Sequence, residues 1–351
     1  MEIYAFDGLE TVQNPALQRL NMMSKIKHLF QRFFKECGMF FPDVKEFGFK
    51  IAVFRAIDFL FPRPKTESYM KALSSYMDKE LSTLTEKYKN GYVFENPKEK
   101  IEMNGKIPVF VCWWQGEEKM PPIVAACVKR IKNKIPNDIA ELHFITFDNY
   151  TEYVEFPEYI LEKYKKGIIS LAHLSDVLRF SLLGTYGGMW IDSTVFLSDN
   201  FEFDFFDREF YTQKYSTSEE CPHEACMGKW CGFFLYGKPN LILFDFVWNS
   251  LLFWWERHNK AVDYVFFDYI IKTGYNNLCS IKSAIDSVEP NNKNIWSLSQ
   301  HINERFDHDE YQKILDSNGF FKLAHKAPYK EKACDGEKTI YAHIISEVKN
   351  A

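Results

Sequence analysis

Residues 173–197 read HLSDVLRFSLLGTYGGMWIDSTVFL, and the fold class follows from how this run is divided. Ser170 through Tyr186 predicts a helix that ends in glycine, and MWIDSTVFL, residues 189–197, predicts the strand after it. Between them the Gly187–Gly188 pair can close the helix in a left-handed conformation and let the backbone pass close to another segment. In open α/β sheets ligands sit beyond the carboxyl ends of strands, where loops and helix N-termini leave backbone groups free, so Asp192 is expected at a ligand site. Sixteen residues upstream, Asp176 and Arg179 stand at i and i+3 and project from one helix face. They allow two readings. One is an ion pair within the helix; the other is a carboxylate for sugar hydroxyls beside a guanidinium for a phosphate oxygen.

Working outward, IPVFVCWW (107–114) predicts a strand, MPPIVAACVKRIKNKI (120–135) a helix with prolines in its first turn, and ELHFITF (141–147) a second strand. Further on come EFYTQK (209–214), CGFFLYG (231–237), a core helix in LILFDFVWNSLLFWW (241–255), a helix around Tyr264 to Lys272, and a C-terminal region with FFKLAHK (320–326) and TIYAHII (339–345). The alternation predicts the α/β class, with a parallel or mixed sheet flanked by helices. Before residue 104 the pattern is helical and polar. FKIAVFRAIDFLF (49–61) predicts one helix and Thr66–Lys89 another, and the Gly, Asn and Pro of NGYVFENPKEKIEMNGK (90–106) predict a linker. The expected division is a helical N-terminal region, 1–104, and a catalytic α/β domain, 105–351.

The net charge of −5 argues against a general nucleic-acid binder. Aromatic residues make up 17%, which suits a thick core or a surface that stacks flat ligands such as bases and sugar rings. The eight cysteines are scattered, and no signal-peptide pattern opens the chain, so a cytoplasmic location is expected. The cluster CPHEACMGKWC brings together Cys221, His223, Cys226 and Cys231, but its gaps depart from paired zinc knuckles, and loop thiols are the expectation. Residues 241–255 are fewer than the ~20 needed to span a bilayer and contain Asp245 and Asn249. RLNMMSKIKHLFQRFFK (19–35) places Met22, Met23, Ile26, Leu29, Phe30, Phe33 and Phe34 on one stripe with basic residues around it. That helix fits a core-facing role or a peripheral contact with the inner face of the plasma membrane.

Three blocks together, IPVFVCWWQGEEKMPPIVAACVKRI (107–131), residues 173–197 and DYVFFDYII (263–271), resemble the bacterial capsular polysaccharide synthesis proteins. These are similar to the wider set of D-x-D-containing retaining sugar transferases, including yeast-type mannosyltransferases and the large clostridial glucosylating toxins. The resemblance runs in order from about Ile107 to Lys326 and implies a GT-A-like, Rossmann-related fold with a nucleotide-sugar donor. It implies that Trp113 or Trp114 stacks on the nucleobase, that Asp176 of the S-D-x-x-R block holds donor-sugar hydroxyls, and that Arg179 lies near sugar and diphosphate. Asp192 matches the first acid of D-x-D, which contacts ribose and metal, whereas the second acid falls on Thr194.

Two ways remain to neutralise the departing diphosphate. In one, Asp192, the Thr194 hydroxyl, the diphosphate and His325 or His343 hold Mn²⁺ or Mg²⁺, an arrangement with one carboxylate and substrate phosphates that suits Mg²⁺ and is the expectation. In the other, Arg179 acts with a basic side chain such as Lys322 or Lys326. On the acceptor side DYVFFDYII offers Asp263 and Asp268, of which Asp268 is the candidate to orient the acceptor hydroxyl or take its proton, with a structural capping or ion-pair role as the alternative. The expected activity is transfer of a sugar to a hydroxyl of a capsular or other surface glycan, free or lipid-linked, with retention. A non-catalytic nucleotide-sugar or carbohydrate-binding relative is the alternative, and a metal-dependent hydrolase using Asp192 a third.

Overall fold

A computed structural model describes residues 38–60, 66–91, 100–214 and 224–349. The amphipathic stretch 19–35, Cys221 and His223 lie outside the described residues. The chain divides into two compact units, Met1–Ala72 and Leu73–Ala351. In the first, residues 38–47 are helical and α1 spans Phe49–Leu60. Phe47, Ile51 and Ala52 are buried, Phe54 stacks on Tyr69, and Arg55 donates to Asp43 at 2.8 Å.

The predicted helix 66–89 is two helices, α2 (Glu67–Glu80) and α3 (Ser82–Lys89), which meet at the fully buried Leu81. Its apolar spacing continues across the break, which is why one helix was expected. Residues from Leu73 onward belong to the larger unit. There Tyr88 donates its hydroxyl to Asp245 at 2.6 Å, and Asp78 accepts from Thr273 at 2.7 Å.

The α/β expectation holds. β1 (Ile107–Cys112) pairs in parallel with β2 (Ala140–Ile145) and with β3 (Gly188–Ile191). β6 (Phe234–Gly237) runs antiparallel to β3 and to β5 (Phe210–Thr212), giving a mixed sheet in the order β2-β1-β3-β6-β5. MWIDSTVFL is not one strand. It breaks after Ile191, and β4 (Val195–Leu197) joins a separate antiparallel pair with β7 (Phe320–Lys322). The break is a tight turn in which Val195 N–H donates to the Asp192 carbonyl at 2.9 Å. Asp, Ser and Thr bond readily to local backbone, and here they interrupt an otherwise apolar run.

Helices cover both sheet faces. Val109, Val111, Met189, Ile191, Phe234 and Tyr236 share a core with α4 (Pro122–Lys134) and the C-terminal helix Ile340–Lys349. The alternate residue Phe110 turns the other way, toward Tyr153 and Tyr186. Two short helices, α5 (Tyr150–Tyr153) and α6 (Glu158–Lys165), lead from β2 into α7 (Leu171–Tyr186), which is capped by Ser170 and packs against α8 (Ile242–Arg257). α7 is buried nearly all round, so any charge on it must find a partner.

The glycine pair is required by space as well as by angle. Gly187 has φ +65° and a Cβ there would lie 2.5 Å from Pro239 N; at Gly188, φ is +82° and a Cβ would lie 2.3 Å from the Pro108 carbonyl oxygen. Only glycine lets the chain leave α7 and enter the sheet against β1. Among the described residues no helix is long and apolar enough to cross a membrane.

Candidate functional site

From β1 the chain passes through α4 to β2 on one side; from β2 it returns through α5, α6 and α7 to β3 on the other. The carboxyl ends of β1 and β3 therefore flank the point where strand order reverses, the position at which such sheets leave a crevice. Phe110 pairs with Trp190, so two residues further on Cys112, the last residue of β1, and Asp192, just past β3, stand at the same level. Trp113 and Trp114 begin the loop after β1, and the turn Asp192–Val195 begins the one after β3.

At this edge acids and bases alternate in a chain of contacts. Arg179 Nη1 donates to Asp176 Oδ1 at 2.9 Å, and its Nη2 donates to Asp192 Oδ1 at 3.2 Å. Lys322 Nζ donates to Asp192 Oδ2 at 2.9 Å and also to the Thr194 hydroxyl oxygen. Trp190 Nε1 adds a bond to Asp192 Oδ1 at 2.8 Å. Arg179 lies over the rings of Trp190 and Phe267, at 5.1 and 5.3 Å, and the Lys322 ammonium is 5.2 Å from the Phe233 ring.

The two acids are driven apart. Burial pushes the Asp176 carboxyl up to about 7; Arg179 pulls it back, and the Asp192 charge adds to the rise. Burial acts on Asp192 in the same direction, but Lys322 and Arg179 outweigh it, and with the hydrogen bonds from Lys322 and Trp190 the carboxyl falls to about 2. Asp192 is thus a fixed anion and Asp176 a group poised near neutrality.

The remaining candidates separate clearly. Trp113 is half-buried, meets the exposed His325 ring edge-on at 5.5 Å, and its buried indole N–H has no partner among the described residues. Trp114 is buried against Phe147, with its indole N–H donated to Ser175 Oγ at 2.8 Å. Of the two, Trp113 has the freer ring. Asp268 lies in the first turn of α9 (Phe266–Asn277) and accepts from Trp230 Nε1 at 2.9 Å. Burial pushes its carboxyl up to about 7, against the Trp230 bond and with help from the charges of Asp176 and Glu224. Asp263 is buried and caps the Val265 N–H. The structure does not bring His343 to Asp192: it stacks on Phe306 at 3.8 Å and pairs with Glu347.

Two site residues had no signal in the sequence reading. Gly232 leaves room for the guanidinium, since a Cβ there would lie 2.4 Å from Phe267 Cζ and 3.0 Å from Arg179 Nη1. Tyr264, 64% exposed, has its carbonyl held by His173 Nε2 at 3.1 Å. A cavity of about 260 Å³ lies elsewhere, beside α4, and its Arg130 is already paired with Asp199 and Glu347.

Asp192 and Thr194 do not fit a divalent ion as they stand. Both oxygens of the carboxylate and the hydroxyl already accept hydrogen bonds, and an ion bridging them would lie against the Lys322 ammonium, where like charges repel. Among the described residues, no three His, Cys, Asp or Glu side chains converge into a ligand set.

A mixed α/β sheet with two acids and two bases at its topological switch point is the class that fold and site define. Within that class, the chain belongs to the capsular polysaccharide synthesis protein family, whose model matches residues 63–344. The match includes every side chain of the site just described and ties the protein to capsule synthesis. Comparison with the curated proteins gave no match, nor did comparison with the solved structures.

Proposed function

We propose that this protein is a glycosyltransferase that moves a sugar from a nucleoside-diphosphate donor to a hydroxyl of a capsular or other surface polysaccharide intermediate, with retention at the anomeric carbon. The observation that carries the reading is the alternating run Asp176–Arg179–Asp192–Lys322 at the switch point between β1 and β3. A nucleotide sugar presents hydroxyls, which carboxylates recognise, next to a diphosphate, which needs cations. This site sets the two kinds of group side by side, with an aromatic ring, Trp113, in the loop beside it for the base.

In the reaction the bond between the anomeric carbon and the β-phosphate oxygen breaks, and its electron pair stays on the diphosphate. The acceptor hydroxyl oxygen bonds to the anomeric carbon, and its proton passes to the departing phosphate oxygen. Such a step depends on positioning and on charge stabilisation more than on a protein nucleophile. Asp176 would hold donor hydroxyls, Arg179 the diphosphate, and Asp268 with the exposed ring of Tyr264 the acceptor side. A lipid-linked acceptor, met at the inner face of the plasma membrane through residues 19–35, fits this reading.

The test is donor cleavage by the purified full chain with a panel of UDP-, GDP- and dTDP-sugars, alone and with capsular oligosaccharide acceptors. Release of free nucleotide that Asp192→Asn abolishes, with folding unchanged by circular dichroism, is expected. Donor binding without release across the acceptors would make the protein a carbohydrate-binding relative instead, and absence of donor binding would overturn the reading.

A further inference from the structure

We propose that the Lys322 ammonium is the resident cation of this site, standing where a divalent ion would otherwise lie between residues 192 and 194, and that donor cleavage therefore needs no metal. This rests on the transferase reading above. Lys322 is held there from several directions. Its strand register is set by pairing with Val195, and its backbone N–H donates to the Ile295 carbonyl at 2.9 Å. The next residue, Leu323, donates to the Thr194 carbonyl at 3.0 Å. The side chain is 15% exposed, flanked by the Phe233 ring, and its ammonium binds the two side chains that a W-I-D-x-T sequence offers to an ion.

The charge balance supports the exchange. Two carboxylates around a divalent ion sum to zero, and so do one carboxylate and one ammonium. Thr194 in place of an acid and Lys322 in place of an ion are therefore matched changes, where either alone would leave the site unbalanced. An ammonium has three N–H donors. Asp192 and Thr194 take two, which leaves one for the β-phosphate oxygen as the sugar bond breaks and its electron pair settles there. Arg179 supplies the second cation from the other side of Asp192.

Two measurements on the full chain decide the matter. In the first, nucleotide release from UDP-, GDP- and dTDP-sugars is followed in excess EDTA and in added Mn²⁺. Equal rates are expected, with a loss of about 10²–10³-fold in Lys322→Met, the size seen when one preorganised donor to a developing anion is removed, and partial retention in Lys322→Arg. In the second, Mn²⁺ binding is read by electron paramagnetic resonance with UDP present. Wild type should leave the Mn²⁺ signal as it is with UDP alone, and the double variant Lys322→Met, Thr194→Asp should take the ion up. Turnover that EDTA abolishes would overturn the inference while leaving the transferase reading intact. Tight Mn²⁺ binding by wild type would overturn it too, and this second measurement requires no turnover.

Discussion

Replacing Arg179 by Met isolates the electrostatics of the site. Arg179 is 6% exposed, spans Asp176 and Asp192, and lies against two aromatic rings. Methionine can occupy much of the same space between those rings, so packing changes little. Asp192 keeps Lys322 and Trp190, but Asp176 is left buried beside another carboxylate without its cation. Removing one member of a buried pair costs about 3–5 kcal/mol when the other stays charged.

That cost should depend on pH, and the sign follows from Asp176. Its folded-state value, about 7, is above the 3.8 of a free carboxyl, so the native state binds the extra proton. Stability from this group is therefore greatest at low pH and is lost as pH rises from the unfolded value toward the folded one. Without Arg179 the folded value climbs further. Near pH 5 the variant holds Asp176 neutral, and the loss should be only about 1 kcal/mol, that of ordinary hydrogen bonds; by about pH 8.5 it should have grown by about 2 kcal/mol, and the full cost appears only above the variant's own folded value. Urea midpoints at the two pH values, at unchanged m, measure the difference. Adding Asp176→Asn should restore most of the high-pH loss. An equal loss at both pH values, or no recovery in the double variant, would refute the reasoning.

Gly188→Ala should destabilise by about 2–5 kcal/mol, combining left-handed strain with overpacking, because its Cβ would meet a backbone oxygen at 2.3 Å that cannot swing aside; thermal unfolding measures it. Asp268→Asn should stabilise the protein at alkaline pH by up to about 4 kcal/mol, with the gain shrinking as pH falls below the folded value of about 7; urea midpoints across that range check the trend. Trp113→Ala should weaken UDP or GDP binding by about tenfold or more, the loss of one stacking face, read by calorimetric titration. Trp114→Phe should instead lower stability by about 1–3 kcal/mol, since it leaves the Ser175 hydroxyl without its donor.

Much of the sheet was legible because its strands carry unbroken apolar runs between Pro and Gly signals, as in 107–112 and 234–237. Of the two readings of Asp176 and Arg179, the ion pair within the helix is present. The break within MWIDSTVFL was not read, because the apolar residues on either side outweigh three turn-forming ones in any periodicity count. The choice between Lys322 and Lys326 was out of reach for a related reason. They are four residues apart and would share one face of a longer strand, but β7 ends at Lys322 and Lys326 lies in the turn that follows. Gly232 left no trace, since what it accommodates comes from helices remote in the chain.

The meeting of Arg179 with Asp192, by contrast, could have been calculated. Arg179 stands eight residues before Gly187, and Asp192 four residues after Gly188. A helix rises 1.5 Å per residue and a strand about 3.3 Å, so each lies about 12–13 Å from the glycine pair along its own element. When α7 folds back on β3 through that pair, the two side chains arrive at one level, as the 3.2 Å contact records. Asp176, a further helical turn back, lies beyond that level, and so the guanidinium rather than either acid becomes the link between helix and strand. The glycine pair is thus part of the site's geometry: it fixes the point from which the two rises are counted, and a turn of another length would leave a buried arginine on α7 facing no carboxylate on β3.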